Sequence, residues 1–582
     1  MLKMENNLKQ SILDTIKNVF NIEINDLKLS KPPKAEMWDY AFNCWILSRE
    51  LKKNPIEIAN ELLTHLEKIV NVEKITLEGA FVNIKISKSV ITDLFYSLEN
   101  NLDFSNYWKW EKIIVDYIWA NVWKPLHIGH MCTPLQWQSL INLYKKLWYD
   151  VISDSHIGDW WIIFWKLITA YKLWWDEDKL KTNAVDYLLE LYVKITTESE
   201  EKWDLIDDQT RNEFKLLSEW NEKSIELWTM FTRYSIDAMN RILARLSVKP
   251  DYNIWESFYA WLGLPKMEEY PDLKHDMSSI VRELIGSSIA VQNDDNSVWI
   301  EFPDNSNLPS CILQKRDWTH WYFASDLASI KYRCENWNPK KIVYCVDSRQ
   351  QMHLKQAFEV SKLAWWIWNT ELFHAYNGFI SLKDGAMSTR KWRIIKLDWL
   401  LDEAENRAKK IILEKREDIS GNELENLSRI IWIGAIKYWY LKKSRETDVV
   451  FDWDEFMTFE WNSWPYIQYA YVRSLRILEK YDWDFNVDVD VDFEEQDEIE
   501  LVKILSNYKK ELINTSLKNT PHNICRYSYE LTKAFNSFYN NVHILNEENE
   551  DKKILRLKLI KHFSETLKDS FWLVWIEMPN KM

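Results

Sequence analysis

Glycine is almost missing from this chain: nine residues in 582, where average usage of about 7% would supply roughly 41. So few glycines leave little freedom for positive-φ turns or for close approach of a backbone to a ligand. Cysteine is sparse and scattered (Cys44, Cys132, Cys311, Cys334, Cys345 and Cys525), never as CxxC, so neither a zinc knuckle nor a disulfide framework is encoded. No apolar run approaches the roughly 20 residues that span a bilayer, and no N-terminal stretch resembles a signal peptide. Basic residues are outnumbered, 74 against 89 acidic, for a net charge of −15 and a pI near 5.4. A ligand held by overall positive charge is therefore disfavoured. Hydrophobic content of 46% excludes a largely disordered chain. The expectation is a soluble, cytoplasmic protein of three or four domains, with no membrane partner.

What is present in excess is tryptophan, 35 residues. The shortfall in glycine nearly equals that number, which suggests that most tryptophans stand at glycine positions; an aromatic-rich protein with rigid turns is the other reading. Charge is also uneven. Residues 486–500 (NVDVDVDFEEQDEIE) are acidic and 552–561 (KKILRLKLIK) basic, so local basic faces stay compatible with an RNA partner.

Along the chain, NPIEIANELLTHLEKI (54–69) reads as an amphipathic helix. KITLEGAFVNIKIS (74–87) has strand alternation, with Val82, Ile84 and Ile86 on one face. Together they make a small α+β unit. KIIVDYI (112–118) is a strand that leads through ANVWKPLHIGH (120–130) into a helix over 133–148. Pro134 suits its first turn, and Leu140, Leu143, Tyr144 and Leu147 mark its buried face. Further apolar strands precede SHIGDWW (155–161) and end at KIVYCVD (341–347). Strands alternating with helices predict a parallel sheet with ligands at the strands' carboxyl ends. From about 396 the pattern turns helical, with Ile524, Tyr527, Leu531, Phe535 and Phe538 on one stripe.

HIGH (127–130) at a strand-to-helix turn has a physical logic. His127 and His130 sit at a helix N-terminus that already favours phosphate, and Gly129 lets a nucleotide approach the backbone. Two nearby histidines are also common at surfaces, and the second HIG at 156–158 shows how easily the string arises. Downstream, AMSTRKW (386–392) offers Met387, Ser388, Arg390 and Lys391 on a polar loop able to fold over a triphosphate. Alone, it also fits a solvated basic loop. The pair in this order is far rarer than either string.

With both motifs in place, the chain resembles the class I aminoacyl-tRNA synthetases and, within them, the arginyl-tRNA synthetase family, over nearly its whole length. Writing Gly for Trp turns NVWKPLHIGH into NVGKPLHIGH, KRDWTHWYFASDLA into KRDGTHGYFASDLA, MSTRKW into MSTRKG, FEWNSWPYIQYAYVR into FEGNSGPYIQYAYVR, and LVWIEMPNKM into LVGIEMPNKM. Each product is similar to a stretch of that family, while Trp160, Trp228 and Trp453 fit unaltered. Some bacterial lineages read UGA as glycine where another common code reads tryptophan, which offers a source for the swap.

The resemblance implies a multidomain protein. A small α+β tRNA-binding domain spans 1–105, and an α/β Rossmann-like parallel-sheet catalytic domain spans 106–395. A helical stem covers 396–450, and an all-α anticodon-binding bundle covers 451–582. It implies two-step arginylation of tRNA(Arg) by a monomer, from L-arginine and ATP with Mg2+, with no structural metal and with tRNA needed for the first step. His127, Gly129 and His130 then contact ATP, together with Met387, Ser388, Arg390 and Lys391. Asp116, Asn121, Tyr322, Asp326 and Gln350 face the amino acid, with Asp326 the first choice for the guanidinium. Asp116 stands where a glutamate is expected, one methylene longer. The loop departs from KMSKS, with Ala386 and Thr389 in place of lysines, which leaves open which cation does the work; Lys391 or Lys124 could substitute for the missing charge. Tyr466, Tyr469 and Tyr527 are candidates for stacking on anticodon bases, or else core. A class I synthetase for another amino acid and a non-catalytic tRNA-binding protein are the competing readings; Asp116 and Asp326 favour a cationic substrate.

Overall fold

Four short strands and the helices around them make the first layer of the computed structural model. The structure describes residues 2–24, 27–32, 37–66, 71–107, 110–117, 125–158, 162–201, 203–218, 221–260, 270–316, 322–383, 395–416, 418–452, 464–481 and 493–580. After helix α1 (Leu2–Phe20), strands β1 (Leu29–Ser30), β2 (Tyr40–Asn43), β3 (Val72–Glu78) and β4 (Phe81–Ile86) form an antiparallel sheet in the order β1-β2-β4-β3. The alternating stretch at 74–87 is thus a hairpin, turned at Gly79 with φ +59. Val82, Ile84 and Ile86 are buried as expected; the strand packs on α3 (Pro55–Leu66), with α2 (Trp45–Leu51) and α4 (Lys88–Tyr96) completing the unit.

The centre is a five-stranded, wholly parallel sheet. Its strands are β5 (Lys112–Tyr117), β6 (Asp150–Ile157), β7 (Tyr252–Trp255), β11 (Lys341–Cys345) and β12 (Glu371–His374), in the order β12-β11-β5-β6-β7. The strands are added outward from β5 to β6 and β7 on one side and then to β11 and β12 on the other, so the switch point lies between β5 and β11, where a doubly wound sheet opens a ligand crevice. Helix α5 (Cys132–Lys146) crosses from β5 to β6. The prediction gave it one buried face. Instead every residue from Pro134 to Tyr144 is buried, including Gln136, Gln138 and Asn142, because the sheet covers one side and C-terminal helices the other.

Two insertions interrupt the sheet. Helices α6 (Ile162–Leu173), α7 (Glu177–Glu201, broken at Asn183), α8 (Trp203–Ser218) and α9 (Glu222–Arg245) separate β6 from β7. After α10 (Glu256–Ala260) and α11 (Met277–Gly286) comes a small antiparallel sheet of β8 (Ala290–Gln292), β9 (Val298–Ile300) and β10 (Cys311–Gln314). Helices α12 (Tyr322–Trp337) and α13 (Gln351–Leu363) flank β11.

Beyond 396 the described residues are helical except for one strand. Strand β13 (Ile380–Leu382) pairs in parallel with β14 (Val449–Phe451), which follows α14 (Leu397–Lys415) and α15 (Gly421–Leu441). Gly378 is required there: a Cβ would lie 2.4 Å from the Thr447 carbonyl carbon. The last helices are α16 (Trp464–Leu478), α17 (Gln496–Ser506), α18 (Tyr508–Lys518), α19 (His522–Asn541) and α20 (Glu550–Leu573). The predicted α19 stripe is buried throughout. Tyr527, a candidate for base stacking, is part of that core, its hydroxyl donating to the Ile504 carbonyl at 3.1 Å. Among the described residues no helix is long and apolar enough to cross a membrane.

Four described tryptophans, Trp110, Trp148, Trp365 and Trp575, adopt φ between +49 and +63, a region that costs an L-residue roughly 1–2 kcal/mol and glycine almost nothing. The indole nitrogens of Trp38, Trp255, Trp432 and Trp464 are buried without a hydrogen-bond partner, which a native interior rarely tolerates.

Candidate active site

The carboxyl ends of β5, β6, β7 and β11 converge on two neighbouring polar clusters. The first is the HIGH turn. His127 caps a 3-10 turn, Ile128–His130, and its Nδ1 accepts from the Gly129 amide at 3.1 Å; His130 Nδ1 accepts in return from the His127 amide at 3.2 Å. The two imidazoles stack with centroids 3.8 Å apart. Each ring thus spends one nitrogen on the turn, which fixes its orientation. Helix α5 starts at Cys132, directly behind.

The candidate signature loop is tied to the same turn at both ends. Ile128 donates to the Ile395 carbonyl at 3.0 Å and Leu397 to the Leu126 carbonyl at 2.8 Å, so the loop's exit runs alongside HIGH. Its entry, β13, packs against the 3-10 turn. Met387, Ser388, Arg390 and Lys391 lie outside the described residues, as do Asn121 and Lys124.

The second cluster lies across β6. His156 is buried at the end of β6, stacked on Tyr259 at 5.8 Å. Its Nε2 is 3.8 Å from a carboxylate oxygen of Glu256, at the start of α10, and 3.8 Å from one of Asp326, in the second turn of α12. Asp326 Oδ2 pairs closely with His353 Nε2 on α13. Burial pushes His156 down to about 4, with Arg333 and His353 adding to the effect and Asp326 opposing it. It is neutral near pH 7 and adds no positive charge to the pocket. Burial also pulls on His353, but the charge and hydrogen bond of Asp326 outweigh it and raise that imidazole above 6.5. Glu256 and His353 were not singled out from the sequence. WESFYA (255–260) carries no motif, and only the contact across three elements reveals it.

Asp116 does not open into either cluster. It is fully buried at the end of β5, and one oxygen sits 2.6 Å from Nη1 of Arg333, on α12. The same guanidinium gives two bonds to Asp154 on β6, at 2.9 and 2.6 Å. Burial works against the charge on Arg333, but Asp116 and Asp154 hold it protonated. A side-chain ion cluster thus braces β5 against β6 beneath both sites. Gln350 is half-buried at the start of α13, three residues before His353. Tyr322 opens α12, and its side chain lies outside the described residues.

Burial pushes the thiols of Cys44, Cys132 and Cys311 up to about 12, which leaves them poor nucleophiles. Among the described residues no group of three His, Cys, Asp or Glu side chains is placed to hold a metal ion.

A parallel sheet with a histidine turn and an anion-ready helix start at its switch point defines a nucleotide-handling α/β protein. The known proteins narrow this further. Residues 97–453 match the family described as tRNA synthetases class I (R), catalytic domain; residues 6–86 match the arginyl tRNA synthetase N terminal domain, and 467–582 the DALR anticodon binding domain. Arginine–tRNA ligase of Fusobacterium nucleatum is 34% identical over 573 residues, covering 97% of each chain. That of Clostridium beijerinckii is 34% identical over 580 residues, 99% of this chain and all of the other. The folds of arginyl-tRNA synthetases from Plasmodium falciparum (TM-score 0.80, 22% identity, 99% of both chains) and Thermus thermophilus (TM-score 0.77, 20% identity, 99% and 100%) superpose over the whole length. This chain belongs to the class I arginyl-tRNA synthetase family.

Proposed function

We propose that the chain joins L-arginine to tRNA(Arg) as an arginine–tRNA ligase. One carboxylate oxygen of arginine attacks the α-phosphorus of ATP, forming arginyl-adenylate and releasing pyrophosphate. A hydroxyl of the terminal ribose of tRNA then attacks the arginyl carbonyl, and AMP leaves. The observation that supports the choice of amino acid is the cluster at the end of β6: two carboxylates, Asp326 and Glu256, around a neutral His156. A guanidinium is a planar cation with five donors, and paired carboxylates match it.

His127 and His130 would meet the ATP phosphates, and Gly129 would clear the adenosine. Ser388, Arg390 and Lys391, with Met387, would close over the triphosphate from the loop anchored beside them, with ATP taken as its Mg2+ complex. Catalysis is then positioning and charge stabilisation, without a covalent enzyme intermediate. Asn121, Tyr322 and Gln350 complete the amino-acid pocket in this reading. Asp116 would act from beneath the pocket, its charge balanced by Arg333. Domain limits at 105, 395 and 450, a monomeric state and a cytoplasmic site belong to the same proposal.

Positive-φ tryptophans and unbonded buried indoles support a further part of it: most of the 35 tryptophans are glycine in the native protein. Two experiments test the reading. Arginine-dependent exchange of pyrophosphate into ATP should appear when tRNA(Arg) is present and should be absent with lysine. The mass of the native peptide 113–145 should match glycine at 119, 123 and 137; tryptophan masses there would sink the recoding idea.

A further inference from the structure

Helix α5 begins at the HIGH turn, and its far half is bonded to the C-terminal helices. Asn142 Nδ2 donates to the carbonyls of Trp572 (3.2 Å) and Leu573 (3.3 Å), and Lys146 pairs with Asp569 at 2.7 Å. Between them, the Tyr144 hydroxyl donates to Oδ1 of Asn519. Asn519 ends α18 in the left-handed region at φ 52 and is fully buried. Its backbone carbonyl accepts from Arg445 Nε at 3.1 Å. Arg445 in turn gives Nη1 to the Tyr376 carbonyl at 2.7 Å, and its own carbonyl accepts from the Gly378 amide at 2.7 Å. Residues 376–378 lead straight into β13 and the signature loop. One residue of the C-terminal bundle therefore holds the helix behind HIGH with its side chain and the strand before the loop with its backbone.

The same residue sits at the foot of a rod. Helix α19 starts three residues after Asn519 and runs 20 residues, about 30 Å. Near its other end, the Arg473 guanidinium lies between the rings of Tyr469 and Tyr539, 4.6 Å from each. Tyr469 is 58% and Tyr539 38% exposed. An exposed stack of two tyrosines and an arginine suits unpaired RNA bases. At the hub, Asn519 Nδ2 and Thr515 Oγ1 are buried without a partner, so this arrangement leaves bonding capacity unspent. A shift of α19 by an ångström or two, the usual scale for packed helices, would reach Asn519 through the short link that joins them.

We propose that Asn519 is a positioning residue: it transmits tRNA occupancy of the C-terminal helices to both elements that grip ATP, the HIGH turn through Tyr144 and the signature loop through Arg445. The proposal rests on the arginylation reading. A path through packed residues needs a coupling measurement, and two variants provide it. Asn519→Gly keeps the left-handed turn and the carbonyl but deletes the side-chain acceptor. Tyr144→Phe deletes only the hydroxyl. In tRNA-dependent pyrophosphate exchange, each should raise the KM for ATP about tenfold, the worth of one buried hydrogen bond, with the KM for arginine and the Kd for tRNA(Arg) within about twofold of the parent. Hydrogen exchange gives a readout without chemistry: tRNA(Arg) should slow exchange at 126–132 and 376–382 in the parent and not in the variants. Unchanged ATP KM in both variants, equal protection in parent and variants, or a fall in tRNA affinity parallel to that in melting temperature would overturn it. If the parent binds tRNA but activates another amino acid, the arginylation reading fails, while the exchange comparison still decides the role of Asn519.

Discussion

HIG is written twice in this chain, at 127–129 and 156–158, at the ends of adjacent parallel strands, and the two copies have opposite fates. In the first, both imidazoles are partly exposed, stacked, and bonded to the backbone of a turn that opens a helix. In the second, His156 ends inside the protein, facing Asp326 and Glu256, with its charge suppressed by burial. A histidine aimed at phosphate benefits from a helix N-terminus, where positive potential and free amides gather. A histidine lining a guanidinium pocket must stay neutral, and a low-dielectric site enforces that. The letters are shared; what each strand end faces decides the role.

The contrast can be broken most severely from below. Arg333 braces the strands that carry both turns, so Arg333→Ala leaves Asp116 and Asp154 buried and uncompensated. A loss of about 3–5 kcal/mol in unfolding free energy is expected, read by urea denaturation, with both sites impaired together. A change under about 1 kcal/mol would show that the cluster does not brace the sheet. Next comes separation of the two turns. His130→Ala should lower kcat for adenylate formation about 100- to 1000-fold, with the KM for arginine nearly unchanged. Asp326→Asn should do the reverse. Its KM for arginine should rise roughly 10- to 100-fold, as expected for loss of a charge-assisted bond, while the KM for ATP holds. If the two variants move the same constant, the division between phosphate and arginine sites is wrong.

The smallest effect concerns pH. His353 has its imidazole raised above 6.5 by Asp326. The stability that this pair contributes is fully present below the unfolded value and is lost as pH rises through the raised one. Deprotonation releases Asp326 for substrate, so the KM for arginine should fall by about fivefold at most across that interval, the worth of one partly screened charge. His353→Gln should flatten the profile, and a proton NMR titration should put the His353 midpoint above 6.5. A midpoint below that value would contradict the arrangement.

Much of this architecture could be read from the residues. The strands at 112–117 and 341–345, the α19 stripe and the turn at HIGH follow local periodicity and a short motif, which need no knowledge of distant neighbours. Other features were hidden because they are long-range. Nothing in WESFYA announces that Glu256 faces His156 across two strands, or that a buried arginine 217 residues after Asp116 pairs with it. The all-round burial of α5 was equally hidden, since its polar residues Gln136, Gln138 and Asn142 look like a solvent face until α15 and α20 cover them. Trp123, so conspicuous in the sequence, lies outside the described residues, while the tryptophans at positive φ were visible only once backbone angles were known.

The central claim is that the pocket around Asp326 takes arginine and the turn at 127–130 takes ATP, in one enzyme. Charging of tRNA(Arg) with labelled arginine, using a gene with glycine codons at the family's glycine positions, tests it most directly. The account predicts arginyl-tRNA formation that depends on ATP and fails with lysine. Charging with lysine to an equal extent, or none with arginine by a folded protein that binds the tRNA, would contradict it.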